Sequence, residues 1–161
     1  MRYFDAHNHL QDEWLAPHLP RALELLEQMG IAGAVVNGTI EGDWQGVARL
    51  ARERAWVIPS YGLHPWHIKE RTRHWEDHLR ARLDEGGAVG EIGLDRWKEE
   101  YDLDDQVAVF RAQLRLAVER NVPATIHCLR AWGALWDIVR TDPVPAVRIP
   151  ASRVWRPGGD D

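Results

Sequence analysis

The amino-acid sequence predicts an α/β fold built around a parallel sheet. Short apolar runs alternate with longer segments in which apolar residues recur every three or four positions, and turn residues separate the two. Five such strand and helix units follow one another, an order typical of parallel sheets with right-handed crossovers. Because the runs contain no polar alternation, we expect both faces of the buried strands to be covered.

The first two strand and helix units occupy the first third of the chain. Tyr3 and Phe4 open a strand that ends in two histidines, and helical spacing over residues 15–29 stops at a glycine. The apolar run 31–36 closes at an Asn-Gly-Thr turn and predicts the second strand. A helix follows over residues 44–54, with its apolar residues on one face.

The next three units follow the same pattern. Each strand is an apolar run that ends in a histidine or a carboxylate, and each helix repeats its apolar residues at helical spacing. In the longest helix this face carries Val107, Phe110, Leu114 and Ala117. The expected elements are strands over residues 56–63, 88–95 and 122–126 and helices over residues 72–85, 102–121 and 131–140.

The length of these units predicts an incomplete barrel. A complete (β/α)8 barrel takes about 250 residues, so five units in roughly 140 residues match the first five-eighths of one. We expect residues 1–141 to form this partial barrel domain, with an open sheet edge that is a route to self-association. Residues 142–161 should form an irregular, Pro-rich tail, because they hold four of the nine prolines and no usable period.

Composition restricts the class of protein. The net charge of −5 argues against a broad electrostatic grip on nucleic acid, so a phosphate substrate would be met locally by metals and a few arginines. The single cysteine, Cys128, excludes an internal disulfide and suits a reducing compartment. The chain has neither an apolar run long enough for a membrane span nor the features of a signal peptide. We therefore expect a cytoplasmic protein.

The segment Asp5-Ala6-His7-Asn8-His9 is a candidate metal site. Residues two positions apart on an extended strand project to the same side, so His7 and His9 can direct two imidazoles at one cation. Neutral imidazole is a good ligand for zinc and other transition metals. Asp5 shares this side, and it either hydrogen-bonds a neighbouring group or caps the following turn.

Other polar residues end the remaining predicted strands. In parallel α/β folds the chemistry lies at the carboxyl ends of strands, so we expect these side chains to converge. Glu91 is either a metal ligand or the partner of an arginine, because an unpaired buried carboxylate is costly. His127 is either a ligand or a satisfied core histidine. The residues expected at this end of the sheet are His7, His9, His64, Glu91, Asp95 and His127.

Four motifs in series resemble a known family. They are Asp5–His9 (DAHNH), Gly62–Pro65 (GLHP), Gly90–Asp95 (GEIGLD) and Gln106–Pro123 (QVAVFRAQLRLAVERNVP) followed by Ile126-His127-Cys128. In order and approximate spacing, residues 3–140 resemble the TatD-like metal-dependent hydrolases, which are amidohydrolase-type TIM barrels.

The resemblance implies an activity and a set of ligands. Members of the family use one or two divalent cations to hydrolyse phosphodiester bonds, typically in DNA and often from an end. By this resemblance, His7 and His9 would bind the first metal, Glu91 would be the catalytic carboxylate shared by both metals, and His127 would bind the second. The sequence does not distinguish Mg²⁺, Mn²⁺ and Zn²⁺.

The family pattern also contains a later histidine and an aspartate that serves as ligand and base, and neither has a match in this sequence. The resemblance therefore implies an impaired hydrolase. The abrupt change of composition in the tail is consistent with a frameshift or premature stop in the parent gene, a hypothesis that alignment of the three reading frames would test.

Four further residues are candidates for contacts with the substrate or with the ligands. His64 would hydrogen-bond a ligand or a substrate phosphate, or form a structural turn with Pro65. Asp95 would orient a ligand histidine through its other ring nitrogen, or cap its loop. Trp97 would stack on a base, as would Trp66, or simply pack. Arg130 would meet a phosphate or pair with a carboxylate.

Two other functions remain open at this point. One is a different hydrolase on the same metal architecture, with an amide, lactone or nucleobase substrate, because fold does not fix substrate. The other is a non-catalytic, truncated metal-binding remnant. A substrate panel separates the first from a phosphodiesterase, and solubility with a cooperative melt separates a folded module from an unstable fragment.

Overall fold

A computed structural model describes residues 2–97 and 102–144 of the chain. Within these residues strands and helices alternate through five units, with short 3₁₀ helices at Glu13–Leu15 and Pro65–Glu70. The predicted tail lies outside the described residues from position 145 onward. The elements are β1 (Tyr3–Asn8), α1 (Leu19–Gln28), β2 (Ile31–Asn37), α2 (Trp44–Glu53), β3 (Val57–Tyr61), α3 (Trp75–Asp84), β4 (Ala88–Asp95), α4 (Leu103–Arg120), β5 (Ala124–Leu129) and α5 (Trp132–Thr141).

The five strands form one parallel sheet in the order β1-β2-β3-β4-β5. Each helix returns the chain to the strand next along, so the sheet curls in one direction as a partial barrel. This confirms the prediction of an incomplete parallel (β/α) barrel. Within the described residues, β1 and β5 each pair with a single neighbour.

The core lies between the sheet and the helices packed on it. Strand β4 is buried along its whole length, as its apolar sequence predicts. Trp44 of α2 is fully enclosed, and its indole N–H donates to the Gly62 carbonyl at 3.0 Å. The expectation of two covered faces is wrong for β1 and β5, where Phe4 is 60% and Ile126 43% exposed, and these are the strands at the two ends of the open sheet.

Several element boundaries differ from the predicted ones: β3 ends at Tyr61 rather than residue 63, α3 begins at Trp75 rather than residue 72, and α1 and β5 also differ. Helix α1 begins at Leu19 rather than residue 15, because Pro20 lacks an N–H and fits only the first turn of a helix. Strand β5 continues past the predicted end to Leu129, because β4 still pairs with it where Gly93 faces His127. His127 therefore lies within the strand. In the part of the chain that the structure describes, no helix combines the length and apolar content of a membrane span.

Gly93 is a position at which the sheet tolerates little change. Its φ of +147° is rarely adopted by other residues, and a Cβ there would lie 1.9 Å from the main-chain oxygen of His127. We expect Gly93→Ala to lower the free energy of unfolding by more than about 3 kcal/mol, because β5 must move away from β4.

Chemical denaturation followed by circular dichroism measures this effect. Gly133→Ala is the matched control, because Gly133 is exposed in α5 and has open space around it. That control should change stability by at most about 1 kcal/mol, toward greater stability. Equal effects of the two substitutions would contradict the steric argument.

Candidate metal centre

The three histidines that the sequence singled out as ligands converge on the carboxylate of the fourth predicted ligand, Glu91. One oxygen, Oε2, lies 3.1 Å from Nε2 of His7 and 3.3 Å from Nε2 of His9. The other oxygen, Oε1, lies 3.3 Å from Nδ1 of His127. Nε2 of His7 and Nε2 of His9 are 3.3 Å apart. Glu91 therefore joins a pair of histidines on one side to a third histidine on the other.

The second ring nitrogens of His9 and His127 are held by acceptors, which sets the direction of the lone pair in each neutral ring. Nδ1–H of His9 donates to the Asn37 carbonyl at 2.8 Å, so in the neutral ring Nε2 carries the lone pair. Nε2–H of His127 donates to Oδ2 of Asp95 at 2.9 Å, so in the neutral ring that keeps this bond Nδ1, which faces Glu91, carries the lone pair. Metal-binding histidines are usually oriented in this way by their second nitrogen.

The donor set fits a divalent cation. Nε2 of His7, Nε2 of His9 and Oε2 of Glu91 lie 3.1–3.3 Å from one another, which needs a shared proton or a cation between them. Ligands about 2.0–2.1 Å from one ion lie about 3.0–3.4 Å from each other, as observed here. Two groups of residues meet the geometric requirement among the described residues, and they share Glu91: His7, His9 and Glu91, and His64, Glu91 and His127.

In the absence of a metal, the charges in this cluster depend on one another. Burial alone would raise the pKa of Glu91, but hydrogen bonds from His127 and His9 outweigh burial and hold that pKa well below its usual range. The same hydrogen bonds to Glu91 raise the pKa values of His9 and His127. The carboxylate therefore stays ionised at neutral pH and available to a cation, which would replace the histidine protons.

His64 belongs to the second group by distance but differs in its hydrogen bonding. Its Nδ1 accepts the main-chain N–H of Trp66 at 3.2 Å, so the proton of the neutral ring lies on Nε2. Burial, with the adjacent His127, lowers the pKa of His64 to about 4. His64 is therefore a neutral donor at Nε2, which suits a hydrogen bond to an anionic oxygen better than metal ligation.

This depressed pKa has a consequence for stability. Between pH 6.5 and about 4, the unfolded state binds a proton at His64 that the folded state does not. The free energy of unfolding should therefore fall as pH drops through this window, by at most about 3 kcal/mol from His64. Denaturation in a chelator should find a shallower decline in His64→Gln than in the wild type, and parallel curves would contradict the assignment.

Asp95 connects the centre to two tryptophans. The oxygen that accepts from His127 also accepts the indole N–H of Trp66 at 2.7 Å, and the other oxygen accepts the main-chain N–H of Trp97 at 2.6 Å. Asp95 thus orients a histidine and caps its loop at the same time. Arg130 lies over the Trp97 ring, 4.1 Å from its centroid.

A groove opens beside the cluster on the β1 and β2 side. Its volume is about 810 Å³. Trp66 lines it and is partly exposed, and His9 and Glu91 of the cluster also line it. Trp14, which is almost wholly exposed, and Arg49 are further lining residues. The metal centre is therefore accessible from solvent along a groove with aromatic walls.

Several structural partners were not identified from the sequence. Asn37 accepts the hydrogen bond of His9 through its main-chain carbonyl, and a pattern of side chains cannot predict a main-chain partner. Gln106 and Gln113 interrupt the apolar face of α4, and this was a signal available in the sequence, since both are buried and hydrogen-bonded to main chain near the site. Trp66 was expected to stack on a base or to pack, and its hydrogen bond to Asp95 was not predicted.

Comparisons with known proteins agree with the fold and show the family of the chain. The family model described as TatD related DNase matches residues 4–151. The 3'-5' ssDNA/RNA exonuclease TatD of Erwinia amylovora is 33% identical over 132 residues, covering 80% of this chain and 51% of the relative. The corresponding protein of Erwinia tasmaniensis is 32% identical over 140 residues, covering 85% and 54%.

A solved structure is also similar. YJJV, a TatD homolog from Escherichia coli K12, superposes with a TM-score of 0.76 at 25% identity, covering 83% of this chain and 53% of that one. The chain spans about half the length of the curated relatives that it matches.

Fold and site together define a (β/α)-barrel protein with a candidate metal centre at the carboxyl ends of its strands. The chain belongs to the family of TatD-related DNases. The resemblance inferred from four sequence motifs is thereby confirmed.

Proposed function

We propose that this chain provides the metal centre of a divalent-metal-dependent phosphodiesterase that acts on single-stranded nucleic acid. The observation that carries the proposal is the convergence of Nε2 of His7 and Nε2 of His9 on one oxygen of Glu91. Relatives described as 3'-5' ssDNA/RNA exonucleases support the substrate class.

Each residue has a role in this proposal. His7, His9 and Glu91 would hold one cation, and Glu91 with His127 would hold a second. Bound divalent metals lower the pKa of a water molecule and polarise a phosphoryl group. His64 donates its Nε2–H to a phosphate oxygen, and Asp95 keeps His127 in the tautomer that ligation needs.

The donor set favours some metals over others. Two imidazoles and one carboxylate suit Zn²⁺ or Mn²⁺ better than Mg²⁺, which prefers oxygen ligands. We therefore propose Zn²⁺ or Mn²⁺ as the ion at His7 and His9. Arg130, held against Trp97 near the same strand ends, would contribute positive charge for the nucleic-acid backbone.

The groove supports a subsite for a nucleobase on Trp66. The indole is fixed by its bond to Asp95 and keeps 43% of its residue surface exposed, so a base can stack on a rigid ring. Trp66→Ala should weaken binding of a labelled single-stranded tetranucleotide by about 10-fold, since stacking contributes about 1–3 kcal/mol per base. Fluorescence anisotropy measures this.

Two control variants make that measurement specific. Trp66→Phe retains a ring without the N–H and should recover most of the binding. Trp132→Ala removes an exposed tryptophan of α5 that does not line the groove, and it should bind as the wild type does. An equal loss in Trp66→Ala and Trp132→Ala would contradict a Trp66 subsite.

A substrate panel tests the proposed function itself. Purified protein is stripped with a chelator, reloaded with Zn²⁺, Mn²⁺ or Mg²⁺, and offered labelled single-stranded DNA, RNA, amides and lactones. We expect shortening of the oligonucleotides only after metal is restored. Turnover of an amide or lactone alone would instead favour another amidohydrolase chemistry, and tight metal binding without turnover would favour a non-catalytic metal-binding module.

A further inference from the structure

Helix α4 directs two buried glutamines at the sheet. Gln106 is 1% exposed and Gln113 is fully buried, and they lie seven residues apart, which places them two turns apart on one face. Phe110, between them on that face, belongs to the apolar core. Glutamines with their amides fully enclosed are uncommon, so their partners identify what they do.

Each glutamine pairs with both main-chain groups of a single residue. Oε1 of Gln106 accepts the N–H of Asp95 at 2.7 Å, and its Nε2 donates to the Asp95 carbonyl at 2.9 Å. Oε1 of Gln113 accepts the N–H of Leu63 at 2.7 Å, and its Nε2 donates to the Leu63 carbonyl at 3.2 Å. The two amides thus act as substitutes for a neighbouring strand.

The glutamine amides are needed because the hydrogen-bonded pairing between β3 and β4 is short. Its last pair is Tyr61 with Val89, so the chain beyond Tyr61 has no β4 partner on that side. Leu63 is fully buried, and its main-chain groups would be costly without hydrogen bonds. A leucine in place of Gln113 would leave both groups unpaired, and an asparagine would be one methylene too short.

Both of the paired residues adjoin the metal centre. Leu63 directly precedes His64, whose ring lies 4.3 Å from that of His127 between centroids. Asp95 carries the carboxylate that holds Nε2–H of His127 and the indole of Trp66. The main-chain position of Asp95 thus decides whether its carboxylate reaches His127.

We propose that Gln106 and Gln113 are positioning residues of the metal centre. Gln106 sets the Asp95 carboxylate, and through it the tautomer and ring orientation of His127, while Gln113 sets the main chain that carries His64. The consequence for metal binding rests on the proposed function, but the consequence for the His127 tautomer does not.

Substitution of Gln106 provides the test. In the metal-free wild type, at a pH where His127 is neutral, ¹⁵N NMR of the imidazoles should show His127 protonated mainly at Nε2, because the carboxylate of Asp95 at 2.9 Å is nearer than that of Glu91 at 3.3 Å. In Gln106→Leu the ring should populate both tautomers, and Zn²⁺ affinity measured by calorimetry should fall about 10- to 100-fold. Gln106→Glu retains the acceptor for Asp95 N–H but not the donor to its carbonyl, and should give an intermediate result.

A core variant of the same helix separates positioning from general destabilisation. Leu116→Ala removes a buried side chain of α4 that takes no part in the hydrogen bonds of Gln106 or Gln113. It should lower the melting temperature while leaving the His127 tautomer unchanged. If Gln106→Leu does not fold, Gln106→Glu carries the comparison. The proposal is overturned if the folded Gln106 variant keeps the wild-type tautomer and shifts Zn²⁺ affinity no more than Leu116→Ala.

The same experiment distinguishes this proposal from the proposed function. A wild type that binds no Zn²⁺ would contradict the metal centre, and the tautomer comparison would still support or overturn the positioning role of Gln106. A wild type that binds Zn²⁺, with unchanged tautomer and affinity in the Gln106 variants, would overturn that positioning role alone.

Discussion

Replacing both His7 and His9 with alanine is expected to lower the affinity for Zn²⁺ or Mn²⁺ by at least about 100-fold. The double variant removes two of the three side chains whose donor atoms meet within 3.3 Å. At that site Glu91 would remain as the single ligand of the three. His7 is exposed, so the free energy of unfolding of the metal-free protein should change by only about 0.5–1 kcal/mol. Titration calorimetry on chelator-treated protein measures both stoichiometry and affinity.

A matched control is available elsewhere in the chain. His18 is exposed at the start of α1, and His74 is exposed at the start of α3. His18→Ala/His74→Ala removes the same number of imidazoles and should retain wild-type affinity. If the control loses as much affinity as His7→Ala/His9→Ala, the bound metal is not held at the predicted site.

Glu91→Gln is expected to reduce both metal binding and hydrolysis, the latter by at least about 1,000-fold. Glu91 contacts histidines through both oxygens, so one substitution removes the shared ligand and the negative charge of both groups. In the metal-free protein the pKa values of His9 and His127 should fall, because the hydrogen bonds to Glu91 are the largest cause of their elevation.

Three measurements characterise Glu91→Gln. They are metal affinity, hydrolysis of single-stranded oligonucleotides at saturating metal, and NMR titration of the histidines without metal. Glu119→Gln is the control, since Glu119 forms a surface ion pair with Arg80 and should leave all three unchanged. A Glu91→Gln protein that is folded, binds metal as the wild type does and hydrolyses at an undiminished rate would exclude Glu91 from the centre.

Much of the fold follows from local patterns in the sequence. Apolar runs separated by helical periodicity leave few arrangements besides a parallel sheet with sequential strands. Because strands end at one edge of such a sheet, the side chains that follow them converge, and this is why His7, His9, Glu91 and His127 were identified together. Spacing of two residues in β1 was sufficient to direct two imidazoles to one side.

The hydrogen bonds that orient these side chains could not be predicted in the same way. The partner of His9 is a main-chain carbonyl of Asn37, 28 residues away, and the partner of Asp95 is an amide on the helix that follows. The extension of β5 through His127 depends on how far β4 continues beside it. Such contacts depend on the register between elements, which no single element encodes.

By itself, the sequence determined the order of the elements, the apolar faces of the helices and the residue types that meet at the carboxyl ends of the strands, because periodicity and chain direction are local properties. Only the tertiary structure decided which nitrogen of His9 and of His127 is held by an acceptor, that His64 is a donor, and that two glutamines of α4 hold the strand ends. These features depend on the distances between atoms far apart in the chain, and those distances are fixed only when the helices pack against the sheet.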